Sequence, residues 1–368
     1  MVAKAFAPTG GMERCALELA RAMLARGHKV DLFCRNCQAE LLPGAAIYRL
    51  PERFRFSSVI NAWDLALSVR RQLAGRSYDV IHSHERTFCQ DVLTLHCFSF
   101  RGGLEHYRGW RRWDQHYCSP RNAMYLMLER RQLAATPWPA AVSGTVLDDY
   151  RRYCSLAGTA VIIPPGVDPE WFHPAAIQAA RPAARQRLGY GDERLVVLFA
   201  GSEFQRKGLD FLLEAAALVP GVELLVAGRG DRAAHFNRLV ERLGLRERVR
   251  FLGLVGEMRE VYAAADVVAL PSRSEAFGMS VLEGMACGLP VIVAPNAGAA
   301  ALVEHGVNGC TGQSPAALRE GLEALRDPAR RQEMGRRARL RAENYGWRQM
   351  ADAYENIYYQ VAASKARS

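Results

Sequence analysis

The sequence predicts an α/β protein of two domains, each built on a parallel sheet. Its 368 residues allow two domains, since one domain usually takes about 100–200 residues. Apolar residues make up 49% and charged residues 23%, as in ordinary globular proteins, which excludes a disordered or fibrous chain. Short apolar or β-branched runs alternate with longer helical patterns, and this alternation is typical of parallel strands joined by helices.

The first half begins this alternation with a helix. Residues 11–26 carry apolar side chains at helical spacing, and Gly27 supplies the stop. Apolar and β-branched runs then predict strands over 30–34, 80–82 and 92–96. Open sheets place reactive groups at strand ends, so His82, His84 and His96 are candidates, of which we expect one to act.

The second half predicts a second parallel sheet. Five apolar runs, separated by helical patterns, predict strands over 195–200, 222–227, 249–252, 267–270 and 291–294. A terminal helix is expected over 347–361, and its tyrosines at positions 354, 358 and 359 indicate packing on another part of the chain.

Proline and glycine mark the boundary between the halves. They are dense over residues 162–174 and break both periodicities, which favours a hinge there. We therefore expect four segments: an N-terminal domain over 1–165, a linker over 166–190, a C-terminal domain over 191–345, and a helical segment over 346–368 that crosses back to the N-terminal domain.

The net charge of +10 is concentrated in the first half. Residues 1–165 contain 22 Lys and Arg against 14 Asp and Glu. A basic surface attracts nucleic acid, anionic lipid or an anionic small molecule, and charge alone does not choose among them.

Cysteines and hydropathy indicate a cytoplasmic protein. No run reaches the about 18–20 apolar residues of a membrane span, and the first ten residues lack the apolar core of a secretory signal. Nine cysteines spread along the chain predict reduced thiols rather than a disulfide framework. Cys34 and Cys37 have metal-site spacing but no second ligand pair, so we expect no metal there.

The most specific local pattern follows the predicted strand over 267–270. Glu275 falls on the loop after the strand and Glu283 on the next helix, with Gly278 at the turn between them. Free backbone N–H groups at a helix start favour an anion, and here they belong to Gly278, Met279 and Ser280. The pattern fits a binding site for a phosphate with hydroxyl-rich groups on either side. The alternative, in which Glu275 only caps the helix and Glu283 is a solvated helix residue, fits it less well.

A pair of cations follows the predicted strand over 195–200. Arg206 and Lys207, with Gly208 after them, can reach the crevice that open α/β sheets use for ligands. Together with a helix N-terminus they would clamp a diphosphate. The chain has no Asp-x-Asp pair for a metal-bound nucleotide sugar, so we expect these cations and backbone amides to act without a metal ion.

These patterns resemble a known family. Glu-x-Phe-Gly-x-x-x-x-Glu over 275–283, Arg-Lys-Gly over 206–208, Gly-Gly at 10–11 and Pro-Gly-Val-Asp over 165–168 are similar to the retaining glycosyltransferases of family 4. The run over 163–167 and the Gly-Gly-Met-Glu-Arg opening look nearest to the bacterial lipopolysaccharide core α-glucosyltransferases. The resemblance implies the GT-B fold, in which two Rossmann-like domains face each other across a deep cleft, and it implies no cofactor.

The resemblance also implies a role for each matching residue. Glu275 would hold hydroxyls of the donor sugar, and Glu283 the hydroxyls of the ribose. Arg206 and Lys207 would stabilise the departing diphosphate, and His96 would lie beside the transferred sugar. The other donor-site residues would be Gly10 and Gly11 near the phosphates, Phe277, Gly278, Met279 and Ser280 along the sugar and phosphate, and Arg229, Leu254 and Val255 near the base.

The expected function is hexosyl transfer with retention of configuration. The donor would be a nucleoside diphosphate sugar, with UDP-sugar favoured, and the acceptor a glycan or lipid-linked glycan in lipopolysaccharide or other envelope polysaccharide synthesis. Two alternatives stay open. One is a basic nucleic-acid-binding protein, although the sequence carries no nucleic-acid-binding fingerprint. The other is an inactive sugar-nucleotide-binding subunit, against which the intact charged residues of the motifs argue.

The composition of the segment over 98–131 bears on whether the protein contacts a membrane. It contains seven arginines against three acidic residues, interleaved with phenylalanine, tyrosine and tryptophan. This composition is found both in well-packed segments and at anionic membrane surfaces. We expect peripheral, salt-sensitive contact with the inner face of the plasma membrane, and an anionic or lipid-linked acceptor.

Overall fold

The computed structural model describes residues 1–105, 119–191 and 193–367. The chain divides into two units: unit 1 comprises Met1–Gly166 with Trp347–Ser368, and unit 2 is Val167–Gly346. All strand pairs in both units are parallel among the described residues. The predicted fold class, α/β with parallel sheets in two domains, is confirmed.

Unit 1 alternates short strands with helices. Its strands are β1 (Ala5–Phe6), β2 (Asp31–Cys34), β3 (Asn36–Cys37), β4 (Ala46–Arg49), β5 (His82–Ser83), β6 (Val92–Leu95), β7 (Trp138–Ala141) and β8 (Val161–Ile162). The helices described between them are α1 (Gly11–Ala25), α2 (Ser58–Leu73), α3 (Phe100–Glu105), α4 (Pro120–Ala134) and α5 (Gly144–Tyr153). The helix predicted over 11–26 and the strands predicted near 30–34 and 92–96 are therefore present.

In unit 1, β1 pairs with β3, and a single residue joins the other two groups of strands into one larger sheet. Val2 bridges Phe33 of β2 on one side and Ser83 of β5 on the other. The strand order is therefore β4, β2, Val2, β5, β6, β7, β8. All strands run the same way, so the segments that follow Val2, β5 and β6 lie at one edge of this sheet, which we call the carboxyl edge of unit 1.

Unit 2 holds the longer strands. They are β9 (Leu195–Ala200), β10 (Val222–Ala227), β11 (Val249–Gly253), β12 (Val267–Leu270), β13 (Val291–Val293) and β14 (Gly309–Thr311). The helices are α6 (Pro174–Leu188), α7 (Leu209–Leu218), α8 (Ala233–Arg242), α9 (Met258–Ala264), α10 (Met279–Ala286), α11 (Pro315–Ala324) and α12 (Pro328–Ala342), after which the chain returns to unit 1 as α13 (Trp347–Lys365).

The order of the strands in unit 2 creates a switch point. The six strands run β11, β10, β9, β12, β13, β14, so the chain builds outward from β9 to one side and then resumes at β12 on the other. Every residue of β9, β12 and β13 is buried, as their near-continuous apolar sequences require in a sheet covered on both faces. Ligands in such sheets bind beyond the carboxyl ends of the strands at the switch point, here between β9 and β12.

The range expected to be a linker, 166–190, contains a helix. Pro174 stands in the first turn of α6, the His173 side chain accepts from the Ala175 N–H, and Gly189 ends the helix in the left-handed conformation. The helix is fixed to the sheet by Arg181 and Arg185, which both bind Asp266, and this carboxylate accepts from the Val196 N–H of β9. The Ala- and Arg-rich sequence shows little apolar periodicity, because two of the three arginines in this helix, Arg181 and Arg185, are packed inward.

Helix α13 packs on unit 1 as its tyrosines indicated. Tyr354 is fully buried, and Tyr358 contacts His82 of the sheet, whereas Tyr359 stays exposed. Arg26, just after α1, forms ion pairs with Asp352 and Glu355 on α13. Across the described ranges, no helix combines the length and apolar character needed to cross a bilayer.

Candidate active site

Two loops meet at the switch point of unit 2. One follows β9 and carries Arg206 and Lys207, and the other follows β12 and carries Glu275. The loops are tied together by the backbone, since the Arg273 N–H donates to the Arg206 carbonyl at 2.8 Å. Sequence motifs that lie about seventy residues apart therefore form one surface at the carboxyl edge of this sheet.

Lys207 and Glu275 form the central ion pair of this surface. Lys207 Nζ lies 2.6 Å from Glu275 Oε2, and the side chains are only 15% and 12% exposed. Arg206 flanks the pair: its guanidinium donates to the Ser274 carbonyl at 2.5 Å and to Glu203 Oε2 at 2.7 Å, and it lies 3.6 Å from Glu275 Oε2. Two cations and a shielded carboxylate thus stand side by side, as a ligand with both phosphate and hydroxyl groups requires.

Glycine at position 208 allows this close approach. Gly208 has a φ of 75° and caps α7, and a Cβ at this position would come within 2.1 Å of the Pro271 carbonyl oxygen. A side chain here would push the two loops apart. In the Arg-Lys-Gly pattern, the glycine therefore allows the two loops to pack closely, and the arginine and lysine supply the positive charges.

The start of α10 lies on the second loop. Gly278 caps the helix with a φ of 103°, so Met279 and Ser280 begin α10 with N–H groups that have no partner within the helix itself. Phe277 is buried, and its carbonyl accepts from the Ala299 N–H at 2.7 Å, which anchors the loop on the neighbouring segment. The helix start predicted for these residues is present.

Glu283 is buried rather than solvated. It is 8% exposed on α10, and its Oε2 accepts from the Tyr262 hydroxyl at 2.7 Å. A buried carboxylate is retained only where polar partners hold it. The solvated-helix interpretation of Glu283 is therefore wrong, and the Tyr262 bond fixes the direction of the carboxylate.

The three residues expected near a nucleobase follow β10 and β11. Arg229 comes after β10 and is exposed, and its N–H donates to Ser202 Oγ at 3.3 Å. Leu254 and Val255 follow β11, and Leu254 is 68% exposed. All three lie at the carboxyl edge of unit 2, on the β10 and β11 side of the cations.

Gly10 and Gly11 lie at the carboxyl edge of unit 1. Gly10 caps α1 with a φ of 89°, and a Cβ added there would overlap the Glu13 carboxylate. Gly11 is the first residue of α1. The structure thus places the strand-to-helix turn where the Gly-Gly pattern predicts it.

The candidate histidines lie together at the same edge of unit 1. His96 follows β6, and its Nε2 lies 2.9 Å from His84 Nδ1. His82 belongs to β5 and stacks on His84 with a ring separation of 4.4 Å. Burial lowers the pKa of His96 to about 3, and it holds the pKa values of His82 and His84 well below 6.5. All three rings are therefore uncharged at neutral pH.

Two polar residues of these edges were missed from the sequence. Tyr262 on α9 reaches Glu283 from a different helix, and no local pattern signals that contact. Glu85 follows His84, accepts from the Lys4 N–H at 3.2 Å, and has its pKa raised by burial. Its position directly after a strand was the signal that could have identified it.

The two cysteines with metal-site spacing, Cys34 and Cys37, are both buried. Burial raises the pKa of Cys34 to about 12 and also raises that of Cys37, so both remain thiols. Over the described ranges, no cluster of three or more His, Cys, Asp or Glu has the arrangement that a metal ion requires.

Comparison with known families covers both units. Residues 9–171 match the family described as Glycosyltransferase Family 4. Residues 180–341 match the family described as Glycosyl transferases group 1. The two matched ranges contain all the implied site residues, from Gly10 to Glu283.

Similar proteins agree with these matches over nearly the whole chain. A D-inositol 3-phosphate glycosyltransferase from Xylanimonas cellulosilytica is 30% identical, covering 96% of this chain and 92% of its own. The lipopolysaccharide glucosyltransferase WaaG of Escherichia coli is 27% identical over 77% of each chain. The crystal structure of WaaG, a glycosyltransferase involved in lipopolysaccharide biosynthesis, has a TM-score of 0.83 at 23% identity, covering 97% of this chain and 98% of its own. This chain therefore belongs to the glycosyltransferases of group 1 and family 4, which have the GT-B fold.

Proposed function

We propose that this glycosyltransferase moves a hexose from a nucleoside diphosphate sugar to a glycan or lipid-linked glycan, with retention of the anomeric configuration. The observation that carries the proposal is the shielded pair of Lys207 and Glu275, with Arg206 beside it, at the switch point of unit 2. A donor of this class combines a diphosphate with two hydroxyl-bearing rings, and the pair offers one charge of each sign for them.

On donor binding, the two side chains of the ion pair would separate and contact different parts of the ligand. The Lys207 ammonium would turn to the diphosphate, and the Glu275 carboxylate would accept hydrogen bonds from sugar hydroxyls. Their contact at 2.6 Å keeps both groups in place and neutralised until the donor arrives. Glu283, oriented by Tyr262, would accept from the ribose hydroxyls.

Charge on the leaving group dominates the proposed chemistry. As the bond from the anomeric carbon to the diphosphate breaks, the oxocarbenium-like sugar becomes positive and the diphosphate gains negative charge. Lys207, Arg206 and the N–H groups at the start of α10 would stabilise the diphosphate where this charge develops. The acceptor would then attack from the same face, which needs a positioned acceptor more than a strong base. We propose that no metal ion takes part, since the chain supplies its own cations and has no Asp-x-Asp pair.

The acceptor proposed is anionic or lipid-linked. The names of the relatives mention inositol 3-phosphate and lipopolysaccharide, and this chain has 22 basic against 14 acidic residues over 1–165. We propose a cytoplasmic enzyme that touches the inner face of the plasma membrane during envelope polysaccharide synthesis.

The segment proposed to touch the membrane is partly described. Its residues 106–118, with Arg108, Arg111 and Arg112, lie outside the described ranges. In the described part, the arginine side chains are exposed, namely Arg101, Arg121, Arg130 and Arg131. Tyr125 is instead buried, with the Phe100 ring 4.8 Å from its own, so this tyrosine does not support the membrane interpretation.

A donor panel tests the proposed function. UDP-, GDP- and ADP-sugars are incubated with the wild-type protein and with Lys207→Ala, with and without EDTA, and free nucleoside diphosphate is measured. We expect one donor class to be turned over by the wild type, equally with EDTA present, and much more slowly by the variant. Tight donor binding without release of diphosphate would instead support the inactive binding subunit, and activity restored only by Mg²⁺ or Mn²⁺ would contradict metal independence.

A further inference from the structure

Three imidazole rings form a continuous stack at the carboxyl edge of unit 1. The rings of His82 and His84 are 4.4 Å apart and inclined by 28°, and those of His84 and His96 are 5.2 Å apart and inclined by 29°. The stack starts in the core, where His82 and His84 are 1% and 4% exposed. It ends at His96, which is only partly buried.

The inner end of the stack is fully hydrogen-bonded. His82 Nδ1 lies 2.5 Å from the Tyr358 hydroxyl, and His82 Nε2 lies 2.8 Å from Thr94 Oγ1. Thr94 Oγ1 is in turn 2.7 Å from the Tyr354 hydroxyl. Hydroxyls can donate or accept, so either ring nitrogen of His82 can carry the proton. His82 therefore does not determine the tautomer of His84.

His84 does constrain its neighbour. Its Nδ1 is bonded to His96 Nε2 at 2.9 Å, whereas its Nε2 is buried and has no hydrogen-bond partner among the described residues. Since both rings are uncharged, one proton lies between the two bonded nitrogens, and it belongs to either His84 or His96.

The buried Nε2 of His84 decides between these two arrangements. If His96 donated, the proton of His84 would lie on Nε2, leaving a buried N–H with no acceptor. If His84 donates through Nδ1, its Nε2 carries no proton and is an acceptor without a donor. Unpartnered buried N–H groups are rarer in proteins than under-satisfied acceptors, so the second arrangement is favoured.

We propose that His84 is a positioning residue that donates its Nδ1–H to His96 Nε2 and so fixes His96 as the Nδ1–H tautomer. His96 then offers an uncharged N–H donor to an oxygen of the substrate. It does not act as a general base, because Nε2 is already occupied and Nδ1 already carries the proton. The role of the donated bond in catalysis rests on the proposed function, whereas the tautomer itself does not.

The tautomer is measured directly by nitrogen-15 NMR of the histidine side chains in the full chain. His96→Gln assigns the His96 signals by their loss. We expect the proton of His96 on Nδ1 and that of His84 also on Nδ1. A proton on His96 Nε2, or a charged His96 at pH 7, would overturn the proposal whatever the activity of the protein.

Paired variants test whether His84 positions His96. His84→Phe keeps an aromatic ring in the stack but removes the donor, whereas His84→Asn places an amide N–H near the position of Nδ1. We expect kcat to fall about tenfold or more in His84→Phe, with little change in KM, and to recover largely in His84→Asn. Equal losses in both variants would overturn the positioning role.

A control separates this effect from lost stability. Tyr358→Phe removes the hydroxyl bound to His82 Nδ1 and leaves the bond between His84 and His96 intact. We expect a lower melting temperature but an unchanged His96 tautomer. If the tautomer is as proposed and His96→Gln retains full transferase activity, the proposed function of His96 fails while the inference about His84 stands.

Discussion

Lys207 Nζ contacts Glu275 Oε2 at 2.6 Å across a sequence separation of 68 residues. The contact exists because β9 and β12 are neighbours in the sheet although two strands and three helices separate them along the chain. The order of the strands therefore brings the two motifs to one edge, and it does so at the switch point where such sheets bind ligands.

Replacing Lys207 by Ala should mainly slow turnover. The extra negative charge on the diphosphate is absent from the bound donor and develops as the transition state is reached, so we expect kcat to fall about 10²–10³-fold while KM for the donor changes little. Steady-state kinetics with the donor identified by the panel would measure this. Arg319→Ala removes an exposed cation from α11 and serves as the control, with kinetics expected at the wild-type level.

Replacing Glu283 by Gln should weaken donor binding instead. Ribose contacts are present in both the ground state and the transition state, so we expect the donor Kd to rise about tenfold, which corresponds to about 1.4 kcal/mol, with kcat nearly unchanged. Tyr262→Phe removes the bond that orients Glu283 and should shift the Kd in the same direction by less. Calorimetric titration that finds wild-type affinity in both variants would contradict the assignment of Glu283.

The sequence predicts the parts of this site better than their contacts. The apolar strands and the glycine turns are local signals, so the sheets and the positions of Gly10, Gly208 and Gly278 could be foreseen. The bond between Glu283 and Tyr262 and the bond between His84 and His96 could not, because each joins two elements whose packing depends on the whole fold. No periodicity encodes the distance between such side chains.

The helix missed in the expected linker shows the same limitation. Its stability depends on Asp266, whose carboxylate binds Arg181 at 2.5 Å and Arg185 at 2.6 Å and accepts from the Val196 N–H at 2.7 Å. Arg185 is fully buried. A sequence rich in arginine suggests a solvated segment unless the distant carboxylate is known.

Replacing Asp266 by Asn should destabilise unit 2. The substitution leaves the buried Arg185 guanidinium without its counter-charge, and losing one partner of a buried pair costs about 3–5 kcal/mol. Denaturant unfolding followed by circular dichroism would measure the loss. The exposed pair of Arg187 and Glu260 provides the control, because Arg187→Gln should cost less than about 1 kcal/mol. Similar losses in both variants would contradict the account of α6.

Acid should destabilise unit 1 through its histidines. Burial lowers the pKa of His96 to about 3 and keeps those of His82 and His84 well below 6.5, whereas in the unfolded chain each binds a proton below about pH 6.5. The unfolded state therefore holds more protons in this window, and the free energy of unfolding should fall as the pH drops from about 6.5 toward about 3. Above pH 7 these histidines should contribute no pH dependence.

Unfolding titrations between pH 8 and pH 5 would measure the proton uptake of that transition. The His84→Asn variant should take up about one proton fewer than the wild type, because it lacks one of the three buried rings. An equal pH dependence in the two proteins would show that His84 does not titrate on unfolding.

Membrane contact should depend on the basic segment of unit 1. We expect the protein to sediment with anionic vesicles at low salt but not with neutral ones, and to be released as salt screens the attraction. Replacing Arg108, Arg111 and Arg112 by Gln should weaken the binding. The matched control replaces three exposed arginines of unit 2 by Gln, namely Arg319, Arg336 and Arg337. Equal effects of the two triple variants would show that net charge, and not this segment, is responsible.

The stereochemistry of the first product tests retaining transfer at the unit 2 edge most directly. Proton NMR would follow slow hydrolysis of the preferred α-linked donor, with water in place of the acceptor, and would identify the anomer released before mutarotation. We predict that the α-anomer forms first and that Lys207→Ala slows its formation about 10²–10³-fold. Initial release of the β-anomer, or release by Lys207→Ala at the wild-type rate, would contradict the account.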